Sequence, residues 1–211
     1  MKTVIIDYEL DGRQSIIDAL LSLNLDHEIL VSNRPEILKT ATHLILPNIG
    51  DFNSYMQGLK SIEGLSGSLH RQVMIEKKPL LGICSGMHVL ASKYHKDGES
   101  AGLGFIDGKV AKTEIIENST IVDICEGELL IRCEQASHPV LKGLESGDRI
   151  FLSAGYHFSC QNEGNVLAQA DCGFKVNAII AKKNIIGIQF CPENSGAVGL
   201  QILKNFLNWR F

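Results

Sequence analysis

The first half of the chain alternates short apolar runs with segments whose apolar residues recur at helical spacing. Thr3–Asp7 is an apolar, β-branched run. Arg13–Leu23 carries Ile16, Ile17, Leu20 and Leu21 on one helical face, with Asn24 at its end. His27–Val31 reads as a strand. Asn33-Arg34-Pro35 opens a helix, because a proline in the first turn loses no hydrogen bond. His43–Leu46 is a strand ending at Pro47, and helices are predicted near Asn53–Lys60 and Leu65–Lys77. Pro79–Ile83 is a compact apolar strand, and Ser85–Tyr94 reads as a helix leaving it. Strands that are apolar throughout are buried on both faces, and their alternation with helices predicts a parallel sheet covered by helices.

The pattern changes near Gly102. Phe105–Ile116, Ser119–Ile124, Leu129–Arg132, Gly147–Phe158 and Asn165–Ala170 read as strands joined by polar turns. Ala178–Lys182 and Asn184–Phe190, separated by Lys183, predict a hairpin. Ser195–Trp209 closes the chain as an amphipathic helix, with Val198, Ile202, Leu203, Phe206 and Leu207 on one stripe. No linker, repeat or low-complexity tract interrupts this order. The expectation is one domain over residues 1–211: an α/β, three-layer fold with a mostly parallel central sheet and a β-rich C-terminal half.

Composition narrows the class. With 45% hydrophobic and 21% charged residues in 211, the chain is of ordinary globular make-up. A net charge of −4 without a basic stripe gives no nucleic-acid footprint. No apolar run reaches the ~20 residues that span a bilayer, so no membrane partner is expected. The first residues lack a signal-peptide pattern, which predicts a cytoplasmic protein. The six cysteines, at 84, 125, 133, 160, 172 and 191, form no CxxC pair, and 125/133 has no histidine at zinc spacing. No metal and no cofactor are expected.

The strongest local signal is Pro79-Leu80-Leu81-Gly82-Ile83-Cys84-Ser85-Gly86-Met87. An apolar strand runs into Gly-x-Cys-x-Gly and then a helix. A sharp strand-to-helix turn lifts a nucleophile above the sheet, and the glycines relieve crowding there. A helix N-terminus behind Cys84 lowers the cost of its thiolate, and the Ser85 N–H is placed to donate to an oxyanion. Several unrelated hydrolytic families use such an elbow, so the elbow alone leaves the reaction open.

This string resembles the Gly-Ile-Cys-x-Gly-Met signature of class I glutamine amidotransferases and, within them, of the glutaminase subunits of imidazole glycerol phosphate synthases. Ile5-Ile6-Asp7-Tyr8, Leu44-Ile45-Leu46-Pro47-x-Ile49-Gly50, Gly102-Leu103-Gly104-Phe105-Ile106, His138-Pro139-Val140-Leu141-Lys142-Gly143 and Gly187-Ile188-Gln189-Phe190-x-Pro192-Glu193 extend the match along the chain. The resemblance implies a glutaminase in which a cysteine attacks the amide of L-glutamine, a histidine moves the proton and a glutamate orients it. It implies that the ammonia passes to a (βα)₈-barrel cyclase-type subunit. Carried over, Cys84 and Glu193 are the catalytic positions, Cys191 stands at the third, and Gly50, Ser85 and His88 belong to the oxyanion and substrate-binding set.

The departures cluster at that same site. Phe190-Cys191-Pro192-Glu193 has a thiol where the family has histidine. Asn48 replaces a glycine, Ser85 a leucine, and His88 a glutamine that holds substrate. The Asp-Tyr-Gly-x-Gly-Asn, His-Ser-Tyr and Pro-His-x-Gly-Trp-Asn segments are also altered, near residues 7–12, 153–155 and 127–134 respectively. A thiol has no second nitrogen to bond the glutamate. Losing one member of such a triad costs on the order of 10⁴–10⁶ in rate. His88 and His157 are candidate substitute bases, His138 is read as structural, and a Cys84–Cys191 disulfide requires Cα atoms within about 7 Å. Three functions stay open: an impaired glutaminase subunit, for this synthase or for surface-sugar amidation; a docking or regulatory subunit without catalysis; or another hydrolase at the same elbow.

Overall fold

The computed structural model describes residues 1–8, 13–48, 50–96, 98–113, 124–153 and 155–211. The apolar runs of the first half become β1 (Lys2–Ile6), β2 (Glu28–Ser32), β3 (His43–Leu46) and β4 (Leu80–Ile83). Between them lie α1 (Gln14–Ser22), α2 (Pro35–Thr40), α3 (Phe52–Ser61) and α4 (Leu65–His70). Pro35 falls in the first turn of α2, as its fixed φ favours. Asp51 caps α3 by accepting from the Ser54 N–H at 2.9 Å. A single π-type turn at Arg71–Ile75 carries α4 toward β4.

The segment Ser85–Tyr94 departs from its predicted helix. Only α5 (Ser85–His88) is helical, and β5 (Ala91–His95) follows at once. Tertiary pairing overrides the local pattern. β5 lies between β6 (Glu99–Ala101) and β7 (Ile106–Lys112). Tyr94 stacks on Phe52 of α3 with ring centroids 4.0 Å apart, which anchors β5 against that helix.

The second half supplies β8 (Ile124–Ile131), β9 (Arg149–Ser153), β10 (Tyr156–Cys160), β11 (Val166–Asp171), β12 (Lys175–Lys182), β13 (Ile185–Ile188) and α6 (Gly196–Asn208). The predicted strand Gly147–Phe158 is two strands in two sheets. The end of Phe105–Ile116 and most of Ser119–Ile124 lie outside the described residues. The 178–190 hairpin forms, with Lys183 at φ 56° in its turn.

A nine-stranded sheet runs β2-β1-β3-β4-β13-β12-β11-β8-β9. From β2 to β13 every neighbour is parallel. From β13 to β9 every neighbour is antiparallel. The β-rich half therefore extends the α/β sheet itself. The remaining strands form a small sheet, β10-β7-β5-β6.

Successive strand residues face opposite sides of the large sheet. Val4, Leu44, Leu46 and Leu80 pack with Leu38, Tyr55, Leu59 and Leu69 of α2–α4. Ile5, Ile45, Leu81 and Ile83 pack with Ile16 and Leu20 of α1 and Ile202 and Phe206 of α6. That arrangement gives three layers and brings the C-terminal ends of β3, β4 and β13 to one place. Among the described residues, no helix is long and apolar enough to cross a membrane.

Candidate active site

Ligands in open α/β sheets bind beyond the carboxyl ends of the strands. Here β3, β4 and β13 end side by side, and the chain leaving each carries a polar or thiol side chain: Asn48, Cys84 and Cys191. Cys84 has φ 49° and ψ −107°, a conformation that a side chain resists. The strain is locked by close backbone contacts. A Cβ on Gly82 would lie 2.5 Å from the Gly86 carbonyl oxygen, and one on Gly86 would lie 2.1 Å from that of Leu46. The Cys84 N–H donates to Ile188 O at 2.7 Å, which ties the elbow to the end of β13.

The turn after β13 is held equally closely. The Cys191 N–H donates to Phe151 O at 3.2 Å. The Ser195 hydroxyl donates to Cys191 O at 2.9 Å. A Cβ on Gly199 of α6 would sit 1.8 Å from Pro192 O. These contacts pack Cys191 against the cluster that holds Cys84, with the two thiols close enough to influence each other's protonation. The Asn48 amide donates to the Cys191 Sγ at 3.3 Å.

The thiols are opposite in character. Cys84 is pushed well above the ordinary thiol range by the neighbouring Cys191 thiol, by burial and by the charge of Glu193. Cys191 is drawn below that range by the neighbouring Cys84 thiol, which with the Asn48 donor outweighs burial and the Glu193 charge. The sequence expectation of a lowered pKa at Cys84 is therefore corrected. The helix behind it has one turn, and burial beside a second thiol dominates. Glu193 has a buried Oε2 with no hydrogen-bond partner, while its Oε1 has only a 3.5 Å contact from the Ser15 hydroxyl.

A cavity of about 370 Å³ opens over Cys84, and Asn48, Gly50, Ser85, His88 and Tyr156 share its wall. Gly50 adopts φ 64°, a conformation that glycine takes without strain. Ser85 does not present a free oxyanion donor, since its N–H and hydroxyl reach Asn48 Oδ1 at 3.4 and 3.1 Å. A larger hollow of about 580 Å³ beside α3 has Lys60 as its one titratable lining residue, so size does not mark the chemistry.

His88 is buried and bonded through Nε2 to Gln189 Oε1 at 2.9 Å; the Gln189 amide in turn donates to Ser153 O at 3.0 Å. Because a carboxamide oxygen only accepts, Nε2 carries the hydrogen. Burial pushes His88 down to about 4, with Gln189 opposing and His157 adding to the shift, so the ring is neutral near pH 7. His157 bonds Thr113 and Ser159 and lines a different recess, away from Cys84. His138 accepts from the Val140 N–H at 3.2 Å, a structural cap. Two contributors went unassigned in the sequence. Gln189 is a fully buried polar residue directly after the apolar strand β13, a signal visible in the pattern. No spacing announces the bond from Asn48 to Cys191.

A profile of the class-I glutamine amidotransferases matches residues 4–209, and the chain belongs to that family. Among its relatives, the imidazole glycerol phosphate synthase subunit HisH of Zymomonas mobilis is 36% identical, covering 97% of this chain and 94% of that protein. The subunit of the same name from Cereibacter sphaeroides is 32% identical over 100% of both chains. Two solved structures share the fold. A glutamine amidotransferase superposes with a TM-score of 0.73 at 19% identity, covering 97% of this chain and 96% of the other. PurLQS from Thermotoga maritima superposes with a TM-score of 0.70 at 16% identity, covering 98% and 97%.

Proposed function

We propose that residues 1–211 act as one cytoplasmic glutaminase domain, hydrolysing L-glutamine slowly at Cys84 and passing the ammonia to a (βα)₈-barrel cyclase-type subunit. The strained Cys84 turn carries this reading, since Asn48 bridges from the Ser85 N–H beside it to the Cys191 sulfur and so brings the nucleophile and the triad position together.

The steps balance with Cys191 as the base. The Cys84 sulfur attacks the carboxamide carbon of glutamine while its proton passes to the Cys191 thiolate. Cys191 returns that proton to the departing nitrogen, and ammonia leaves a thioester on Cys84. Water then attacks the thioester, Cys191 takes a proton from it, and glutamate leaves as that proton returns to the Cys84 sulfur. The cavity over Cys84 accommodates a small amino-acid side chain.

Three features make the reaction slow. A thiol cannot bond Glu193 as an imidazole would, so the carboxylate's charge opposes the thiolate. The Ser85 N–H must leave Asn48 before it can meet an oxyanion. His88 offers a neutral ring where the family's glutamine holds substrate. The same features favour the second reading, a subunit that docks on its partner without turnover. Glutamate release by the purified chain, with and without the barrel partner, separates the two. Release that Cys84→Ala abolishes supports the first; none in either condition supports the second.

A further inference from the structure

Asn48 and Cys191, two positions where the chain departs from its family, touch each other. The Asn48 amide donates to the Cys191 sulfur at 3.3 Å, its Oδ1 accepts from the N–H of Ser85, the residue after Cys84, at 3.4 Å, and Cys191 packs against the cluster that holds Cys84. Both thiols are free, with Cys84 buried and Cys191 partly exposed. They leave adjacent parallel strands, which lie about 4.8 Å apart. Thiol–disulfide exchange needs a reachable thiolate with a second thiol beside it.

We infer that Cys191 and Cys84 form a redox pair that a low-molecular-weight disulfide converts into an intramolecular disulfide. The Cys191 thiolate attacks one sulfur of the small disulfide, RSSR. A mixed disulfide forms on Cys191 and RS⁻ departs. Cys84 gives up its proton to RS⁻, and its sulfur attacks the Cys191 sulfur. The second RS⁻ leaves and takes a proton from water. Two electrons pass from the protein to RSSR, giving two RSH.

The bond would remove the nucleophile, so the site is switched off by oxidation and restored by thiols. That consequence rests on the glutaminase reading; the bond itself does not. The nearest rival is the pair Cys125 and Cys172, where the neighbouring Cys125 helps burial push the Cys172 thiol up.

The test uses oxidised glutathione on the full chain carrying Cys125→Ser and Cys172→Ser, without oxygen, followed by alkylation and non-reducing peptide mass spectrometry. The expected product joins the Cys84 and Cys191 peptides, carries no glutathione on either residue and is reversed by dithiothreitol. Adding Cys84→Ser should trap glutathione on Cys191. In the Cys191→Ser chain, Cys84 should react more slowly, by on the order of tenfold or more. Circular dichroism melts verify that each variant is folded. Cys84 and Cys191 both still alkylated after exposure, or glutathione retained on Cys191 of the folded Cys125→Ser, Cys172→Ser chain, would overturn the inference. Mapping needs no glutamine turnover, so a chain that hydrolyses glutamine yet forms no bond refutes this inference alone. A chain that forms the bond but releases no glutamate refutes only the glutaminase reading.

Discussion

The chain leaves β4 and β13, neighbouring parallel strands, through two turns held by the same device. After β4, the absence of a side chain on Gly86 lets the Leu46 carbonyl approach. After β13, Gly199 does the same for the Pro192 carbonyl. The backbones are matched in tightness, but their side chains are not matched in chemistry. One turn presents the strained Cys84 thiol, the proposed nucleophile, and the other presents the Cys191 thiol at the position proposed for the base. Under that proposal, a backbone scaffold persists where the proton chemistry has changed.

The sharpest way to break that comparison is to restore the base. General acid–base groups contribute on the order of 10²–10⁴ in rate. Cys191→His should therefore raise glutamate release on the order of 10²-fold or more. Unchanged turnover, measured by a coupled glutamate assay, would place the defect at Asn48 and His88 instead.

The shared backbone device is tested by filling the two glycines. Gly86→Ala and Gly199→Ala each force a methyl group into a carbonyl, and each should cost about 3 kcal/mol or more. Gly67 in α4 has no heavy atom within 4 Å of its Cβ position. Gly67→Ala should be neutral or stabilising by up to about 1 kcal/mol. Urea melts of the three variants rank them. A tolerated Gly199→Ala would show that the second turn is the looser one.

Protonation probes the surroundings of the first turn. His88 beside the elbow and His43, bonded to Trp209 O at 3.0 Å, are both pushed from 6.5 down to about 4, chiefly by burial. The unfolded chain binds more protons between those values. The contribution of each ring is complete above pH 6.5, is lost as pH falls through 6.5 to 4, and is constant below. Each ring is worth about 3 kcal/mol at most. Chemical melts from pH 7.5 to 4 should show the decline, and His88→Gln should reduce it.

The smallest effect lies in the second turn. Asn48→Ala removes one donor from the Cys191 sulfur, a bond worth about 1 kcal/mol. The pH at which Cys191 becomes alkylatable should rise by less than about one unit. No change would mean that Cys84 alone sets that thiol.

Much of this was legible in the sequence, for identifiable reasons. Pro79–Ile83 is apolar throughout because β4 is buried on both faces, and Gly82 and Gly86 mark the elbow because no side chain fits there. Cys191 stood out because it follows the same strand pattern as its family. What stayed hidden depends on contacts distant in the chain. The helix-like run after His88 becomes β5 only because β6 and β7 pair with it. The high pKa of Cys84 follows from a thiol more than half the chain away. Asn48 covers the Ser85 N–H through a side-chain rotamer that no local spacing encodes.

The position of β13 carries a consequence for assembly. It is the last strand in sequence, yet it fills the gap between β4 and β12 at the middle of the large sheet. Until it emerges from synthesis, β4 presents an unpaired apolar edge. Such an edge invites pairing with other chains, and long-range pairings of this kind form slowly. Nascent chains stopped before Ile185 should be the aggregation-prone species, and contact between Cys84 and Cys191 is among the last events of folding.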